Sequence, residues 1–138
     1  FHVIVPVSGE FPEPELQSLH EKIGMKVIFM TAEKHDTVFG AISHLPHITA
    51  FSLVEAVNST CSEAFLYTGG GFRDFTRIAA SNPRMWTDIF LDNDEKVMSL
   101  IDTYIDFLTS WREDIAARNE EKIYKRIEEA SSIRRGIK

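Results

Sequence analysis

The sequence has a single cysteine, Cys61, among its 138 residues. No internal disulfide can form, and a reducing, cytoplasmic setting is the expectation. Positive charge is not in excess. The formal net charge of −6 argues against a nucleic-acid partner. Neither G-x-G-x-x-G nor G-x-x-x-x-G-K-[ST] occurs anywhere, so the chain encodes no dinucleotide fingerprint and no phosphate loop. No uninterrupted apolar run approaches the ~20 residues that span a bilayer, and no signal peptide is visible, so no membrane association is expected. Repeats and low-complexity segments are lacking. So is an initial methionine. The opening Phe1-His2-Val3-Ile4-Val5 reads as a buried strand with no lead-in, as expected of a fragment whose N-terminal part is missing.

What is present suffices for one domain with a core: 43% of residues are apolar and 26% charged. Residues 1–29 read as strand, helix, strand. An apolar run Phe1–Val5 precedes a loop from Pro6 to Phe11. A helix from Pro12 to Ile23 is stopped by Gly24, and a second run spans Lys26–Met30. A piece this small cannot cover both faces of its own strands, so it reads as the torn end of a larger α/β sheet.

After Thr31, a plausible N-cap, the pattern is all-helical. From Val38 to Val57 apolar residues cover nearly every side, which predicts a helix buried all round. The chain has too few other helices to surround it, and a second copy is the simplest source of cover. Asn82-Pro83 restarts a helix, and Asp92-Asn93-Asp94 breaks it and caps the next. There Val97, Leu100, Ile101, Tyr104, Ile105, Leu108, Trp111 and Ile115 recur at helical spacing. A polar helix follows from about Asn119, with a frayed basic tail expected over Ser131–Lys138.

Two places break local rules beside polar side chains, where a functional site is expected. In Ser43-His44-Leu45-Pro46-His47 two imidazoles share a helix face, and Pro46 removes a backbone donor. The expectation is a bend that leaves the Ile42 carbonyl free near both rings. The plain reading is two histidines hydrogen-bonded to backbone at a kink. A metal site is the weaker one, because only His35 and carboxylates could complete a ligand set. In Gly69-Gly70-Gly71-Phe72-Arg73-Asp74-Phe75-Thr76-Arg77 the glycines read either as a flexible helix–helix loop or as a sharp turn packed against a ligand. Asp74 and Arg77 are three apart and could pair, and a guanidinium held by a carboxylate is oriented to grip another one. Trp86 could wall an apolar pocket or belong to the core.

Together, His35-Asp36, Ile42-Ser43-His44-Leu45-Pro46-His47, the run Gly69–Ala79, Ser81-Asn82-Pro83 and Met85-Trp86-Thr87-Asp88-Ile89 resemble, in order and spacing, the C-terminal helical domain of the prephenate dehydrogenase family. The resemblance covers roughly residues 30–93. Residues 94–138 match only as amphipathic helices. It implies a mainly α fold: an intertwined helical dimerisation domain, residues 31–138, preceded by a short βαβ remnant of a Rossmann-type domain, residues 1–30. It also implies oxidative decarboxylation of prephenate to 4-hydroxyphenylpyruvate on the route to tyrosine, in a homodimer. Hydride would pass to NAD or NADP bound by the missing N-terminal domain. Carried over, Arg77 would bind a substrate carboxylate and His47 would hydrogen-bond the substrate, with His44 close by. Asp74 would orient the pocket, Gly70 would allow close backbone approach, and Trp86 would shape the wall. The family's catalytic histidine, in a His-Pro-x-x-Gly context, has no counterpart here, because His2 is followed by Val3. This fragment would hold no catalytic residue and would be inactive alone. The alternatives are arogenate as substrate on the same fold, or a non-catalytic helical dimerisation module.

Overall fold

The computed structural model describes residues 1–7 and 14–137. Contacts divide the chain into two units, Phe1–Leu100 and Ile101–Lys138.

In the first unit, strands β1 (His2–Ile4) and β2 (Val27–Phe29) pair in parallel, with His2 opposite Val27 and Ile4 opposite Phe29. Parallel pairing needs a crossover, supplied by helix α1 (Pro14–Lys22). The expected start of this helix at Pro12, and part of the preceding loop, lie outside the described residues. Gly24, at φ 84°, turns the chain out of α1 in a conformation that costs other residues 1–2 kcal/mol by rough estimate. Every strand residue is only half-buried.

Helix α2 (Ala32–Phe39) starts where Thr31 accepts a hydrogen bond from the Lys34 amide at 3.2 Å. It passes into a π-helical turn, Gly40–His44, and then helix α3 (Leu45–Cys61). The π turn shows how a proline is admitted. The Leu45 amide donates to the Gly40 carbonyl, five residues back, and Pro46, which has no amide hydrogen, falls in the first turn of α3. The expected break is therefore a change of ladder, and helical structure runs on from Ala32 to Tyr67.

By length and composition alone this merged stretch is long and apolar enough to cross a bilayer, a test that the core helix of a soluble protein also passes. Pro46 conceals the continuity in the sequence. Only Gly40 and Ala50 are fully buried along Val38–Val57, so within one chain the predicted all-round cover is absent.

A 3₁₀ turn, Ser62–Tyr67, leads to helix α4 (Gly70–Thr76), a second 3₁₀ turn, Arg77–Ala80, and helix α5 (Pro83–Asp92). Asn82 caps α5 by accepting from the Met85 amide at 3.1 Å. The chain's buried apolar residues are few among those described: Ala50, Trp86 and Val97.

Helix α6 (Asp94–Ala116) begins in the first unit and continues into the second, which it forms with helix α7 (Glu120–Gly136). Arg118, at φ 49°, closes the turn between them, and Asn119 caps α7. Arg126 ties the hairpin. It donates to Asp114 Oδ2 at 2.8 Å and Ser110 Oγ at 2.9 Å, and its guanidinium lies 4.4 Å from the Trp111 ring centre. Ile105, Leu108 and Ile115, part of the predicted apolar stripe, remain exposed. The tail expected to fray is helical through Gly136; Arg134 and Arg135 in its last turn complement the helix dipole.

Candidate functional site

The π turn and α3 place His44 and His47 on the side that meets α5. His47 stacks on Trp86, with ring centres 3.5 Å apart and planes 25° from parallel. His44 meets Trp86 and Phe90 edge-on, at 6.1 and 6.5 Å. Phe51 extends the cluster to Phe90 at 6.4 Å. Trp86 is buried, and its indole Nε1 has no hydrogen-bond partner among the described residues. A buried donor left unmatched costs roughly 1–3 kcal/mol, so this one is a standing feature of the site.

Each imidazole is anchored by a different group. His47 Nδ1 donates to the Ser43 carbonyl at 2.9 Å, one residue on from the Ile42 carbonyl that Pro46 was expected to leave free. His44 Nδ1 lies 3.2 Å from Asn93 Nδ2, which also donates to the Asp36 carbonyl at 2.9 Å. Burial is the main cause that pushes the His44 pKa below its usual value. The neighbouring His35 and, less strongly, His47 push the same way, against the opposing pull of Asp36. His35 Nδ1 in turn lies 3.0 Å from the Asp36 carboxylate. Among the described residues no three His, Cys, Asp or Glu side chains converge as metal ligands.

The glycine run behaves differently from expectation. It is the start of a helix, not a flexible helix–helix loop or a sharp turn. Gly69 is the extended N-cap of α4, and Gly70 and Gly71 form its first turn. Among the described residues, a Cβ at any of the three would meet nothing within 4 Å, so none of them presses on Gly70. Arg73 is occupied locally, donating to the Thr68 carbonyl at 2.8 Å.

The anticipated Asp74–Arg77 ion pair does not appear among the described residues. The α-helical turn ends at Thr76 and tightens to 3₁₀ at Arg77, which changes the phase between the two side chains. Arg77 is exposed, without an ion-pair partner among the described residues, on a turn that packs against α3.

Thus His44, His47 and Trp86 are gathered into one cluster. Asp74, Gly70 and Arg77 lie along the neighbouring α4 and 3₁₀ segment with no bond to the histidines. Sequence reasoning missed Asn93, Phe51 and Phe90. A cavity of about 350 Å³ at Asn93 is lined by Glu33, Asp36, Asp92, Asp94 and Glu95 against the single cation Lys96, an acidic balance that disfavours an anionic ligand.

A model of the family described as "Prephenate dehydrogenase, dimerization domain" matches residues 31–129. The chain is similar to the cyclohexadienyl dehydrogenase of Zymomonas mobilis, at 35% identity over 122 residues, covering 86% of this chain and 42% of that protein. It is similar to the prephenate dehydrogenase of Bacillus subtilis, at 34% identity over 126 residues, covering 89% of this chain and 34% of that protein. Among solved structures, it resembles prephenate dehydrogenase from A. aeolicus in complex with hydroxyphenyl propionate and NAD+. The TM-score is 0.85 at 39% identity, covering 99% of this chain and 49% of that one. The chain therefore spans less than half the length of each of these relatives.

Proposed function

The chain belongs to the prephenate dehydrogenase family, whose dimerization domain it carries, and from that premise we propose that it is the dimer-forming, substrate-binding part of an NAD(P)-dependent dehydrogenase that oxidatively decarboxylates prephenate to 4-hydroxyphenylpyruvate. The observation that carries this reading is the cluster of His44 on the π turn, His47 on α3 and Trp86 on α5, with an exposed Arg77 that has no ion-pair partner among the described residues, on a turn packed against the same α3. Arg77 grips a substrate carboxylate, which a guanidinium can do with two parallel hydrogen bonds. His47 has its Nδ1 committed to Ser43, which leaves Nε2 for the substrate. His44 stands beside it, and Trp86 walls the pocket. Asp74 and Gly70 flank Arg77 on α4: Asp74 orients the pocket, and the open space above Gly70 admits a ligand or another backbone.

The residues of this chain do not fit a dinucleotide. It has no G-x-G-x-x-G turn after a strand, and its described strands are three residues long. No step through NAD or NADP is assigned to it. The cofactor and the catalytic base belong to a domain outside this sequence, and the chain by itself is inactive. The domain boundary falls near residue 30, between β2 and α2. A second copy, rather than lipid, covers Ala32–Tyr67. The two anchored imidazoles in mid-helix suit a protein partner better than hydrocarbon, where polar side chains are expensive.

The test is a side-by-side assay of prephenate and arogenate with the dehydrogenase that carries this sequence, using NAD+ and NADP+. Turnover of prephenate is expected. Turnover of arogenate alone would move the substrate assignment, and turnover of neither would remove it.

A further inference from the structure

We propose that Asn93 is a positioning residue that fixes His44 with its proton on Nε2, so that the site receives one imidazole as a hydrogen-bond donor, His44, and one as an acceptor, His47. The part of this statement that concerns substrate rests on the function proposed above; the tautomer does not.

The argument starts from the amide. Asn93 Nδ2 is 2.9 Å from the Asp36 carbonyl, which can only accept. The NH₂ end must therefore face Asp36, because a flipped amide would set two oxygens against each other. The same nitrogen lies 3.2 Å from His44 Nδ1. An amide NH₂ only donates, so Nδ1 is the acceptor, and the ring proton of neutral His44 is on Nε2. His47 is held the opposite way. Its Nδ1 faces the Ser43 carbonyl at 2.9 Å and must carry the proton, leaving a lone pair on Nε2. Two histidines three residues apart thus offer opposite chemistry, one N–H and one lone pair, to the oxygens of a ligand.

The seat of Asn93 is built to hold it. The residue is 9% exposed. Asp36, Gly40 and His44 form one row at helical spacing, and the Asn93 amide lies along it. A Cβ on Gly40 would meet Asn93 Nδ2 at an ordinary 3.5 Å but would press on Leu100 Cδ1 at 3.1 Å, so glycine here eases the packing of α6 against the π turn. Nothing about a link between two helices requires the Asn93 amide to reach an imidazole as well. The lowered pKa of His44 agrees with a ring kept neutral.

The experiment is long-range proton–nitrogen NMR on the protein with ¹⁵N-labelled histidine, with His44 assigned by His44→Gln. The wild type is expected to show His44 as a single Nε2–H form. In Asn93→Leu, similar in size but without a donor, the signals should average between the two tautomers. In Asn93→Asp the proton should move to Nδ1, toward the carboxylate. An Nδ1–H form in the wild type, a result that needs no variant to fold, overturns the proposal. So does a tautomer unchanged in both variants. In the complete dehydrogenase, Asn93→Leu should lower kcat/KM roughly tenfold. If the tautomer changes as expected while kcat/KM holds within about twofold, the anchoring by Asn93 stands and the role of His44 toward substrate falls.

Discussion

Replacing Trp86 by phenylalanine separates two contributions that a larger truncation would merge. Trp86 is 6% exposed, stacks on His47 at 3.5 Å, and buries an Nε1–H that no described residue accepts. Phenylalanine keeps a ring for the stack. It removes on the order of 40 Å³, worth ~1 kcal/mol as a cavity and about as much again in transfer free energy. It also removes the unmatched donor, which relieves roughly 1–3 kcal/mol. The two effects nearly cancel, so Trp86→Phe should change stability by less than about 1 kcal/mol, whereas Trp86→Ala should cost ~3–5 kcal/mol. Urea unfolding at fixed protein concentration measures both, provided the slope with denaturant is the same for all three proteins. A loss above ~2 kcal/mol for Trp86→Phe would refute the reasoning, because it would mean that Nε1 makes a bond worth keeping.

Three further outcomes are expected. Arg126 and Asp114 keep only 20% and 12% of their side chains exposed, so a double-mutant cycle with Arg126→Met and Asp114→Asn should give a coupling of ~1.5–3 kcal/mol, and a value below ~0.5 would place the pair among weak surface contacts. Below the ordinary value of 6.5 the unfolded chain protonates His44 while the folded chain resists. Stability should therefore fall as pH drops through 6.5 and stop responding to this group once the folded imidazole also protonates. His44→Gln should flatten that slope, and an unchanged slope would contradict it. Light scattering at micromolar concentration should give twice the chain mass of 15.7 kDa, and the mass of one chain would contradict the dimer.

Helix positions were legible where the signals are local. Thr31 caps α2 as its side chain predicts, and α5 starts at Pro83, where Asn82-Pro83 was read to restart a helix. The run at Lys26–Met30 is a strand, trimmed to Val27–Phe29. The π turn was not legible, because Pro46 reads as a break and nothing in the spacing signals a five-residue ladder. The helical end of α7 was missed because a basic polar segment reads as fraying, while the helix dipole favours that charge at a C-terminus. At the site, the spacing of His44 and His47 was enough to put both on one face, but their partners were not. Asn93 stands between two aspartates and reads as a cap. Its reach to Asp36 and His44 spans 57 and 49 residues of sequence, a distance at which pattern carries no information. The Asp74–Arg77 pair failed for a local reason, the tightening of the helix at Arg77.

The most direct test of the central claim, that this chain supplies the substrate-binding half of a dehydrogenase, is kcat/KM for prephenate in the full dehydrogenase with Arg77→Ala. Loss of a charged hydrogen bond predicts a fall of ~1.5–3 kcal/mol, roughly ten- to a hundredfold. An unchanged kcat/KM would contradict it.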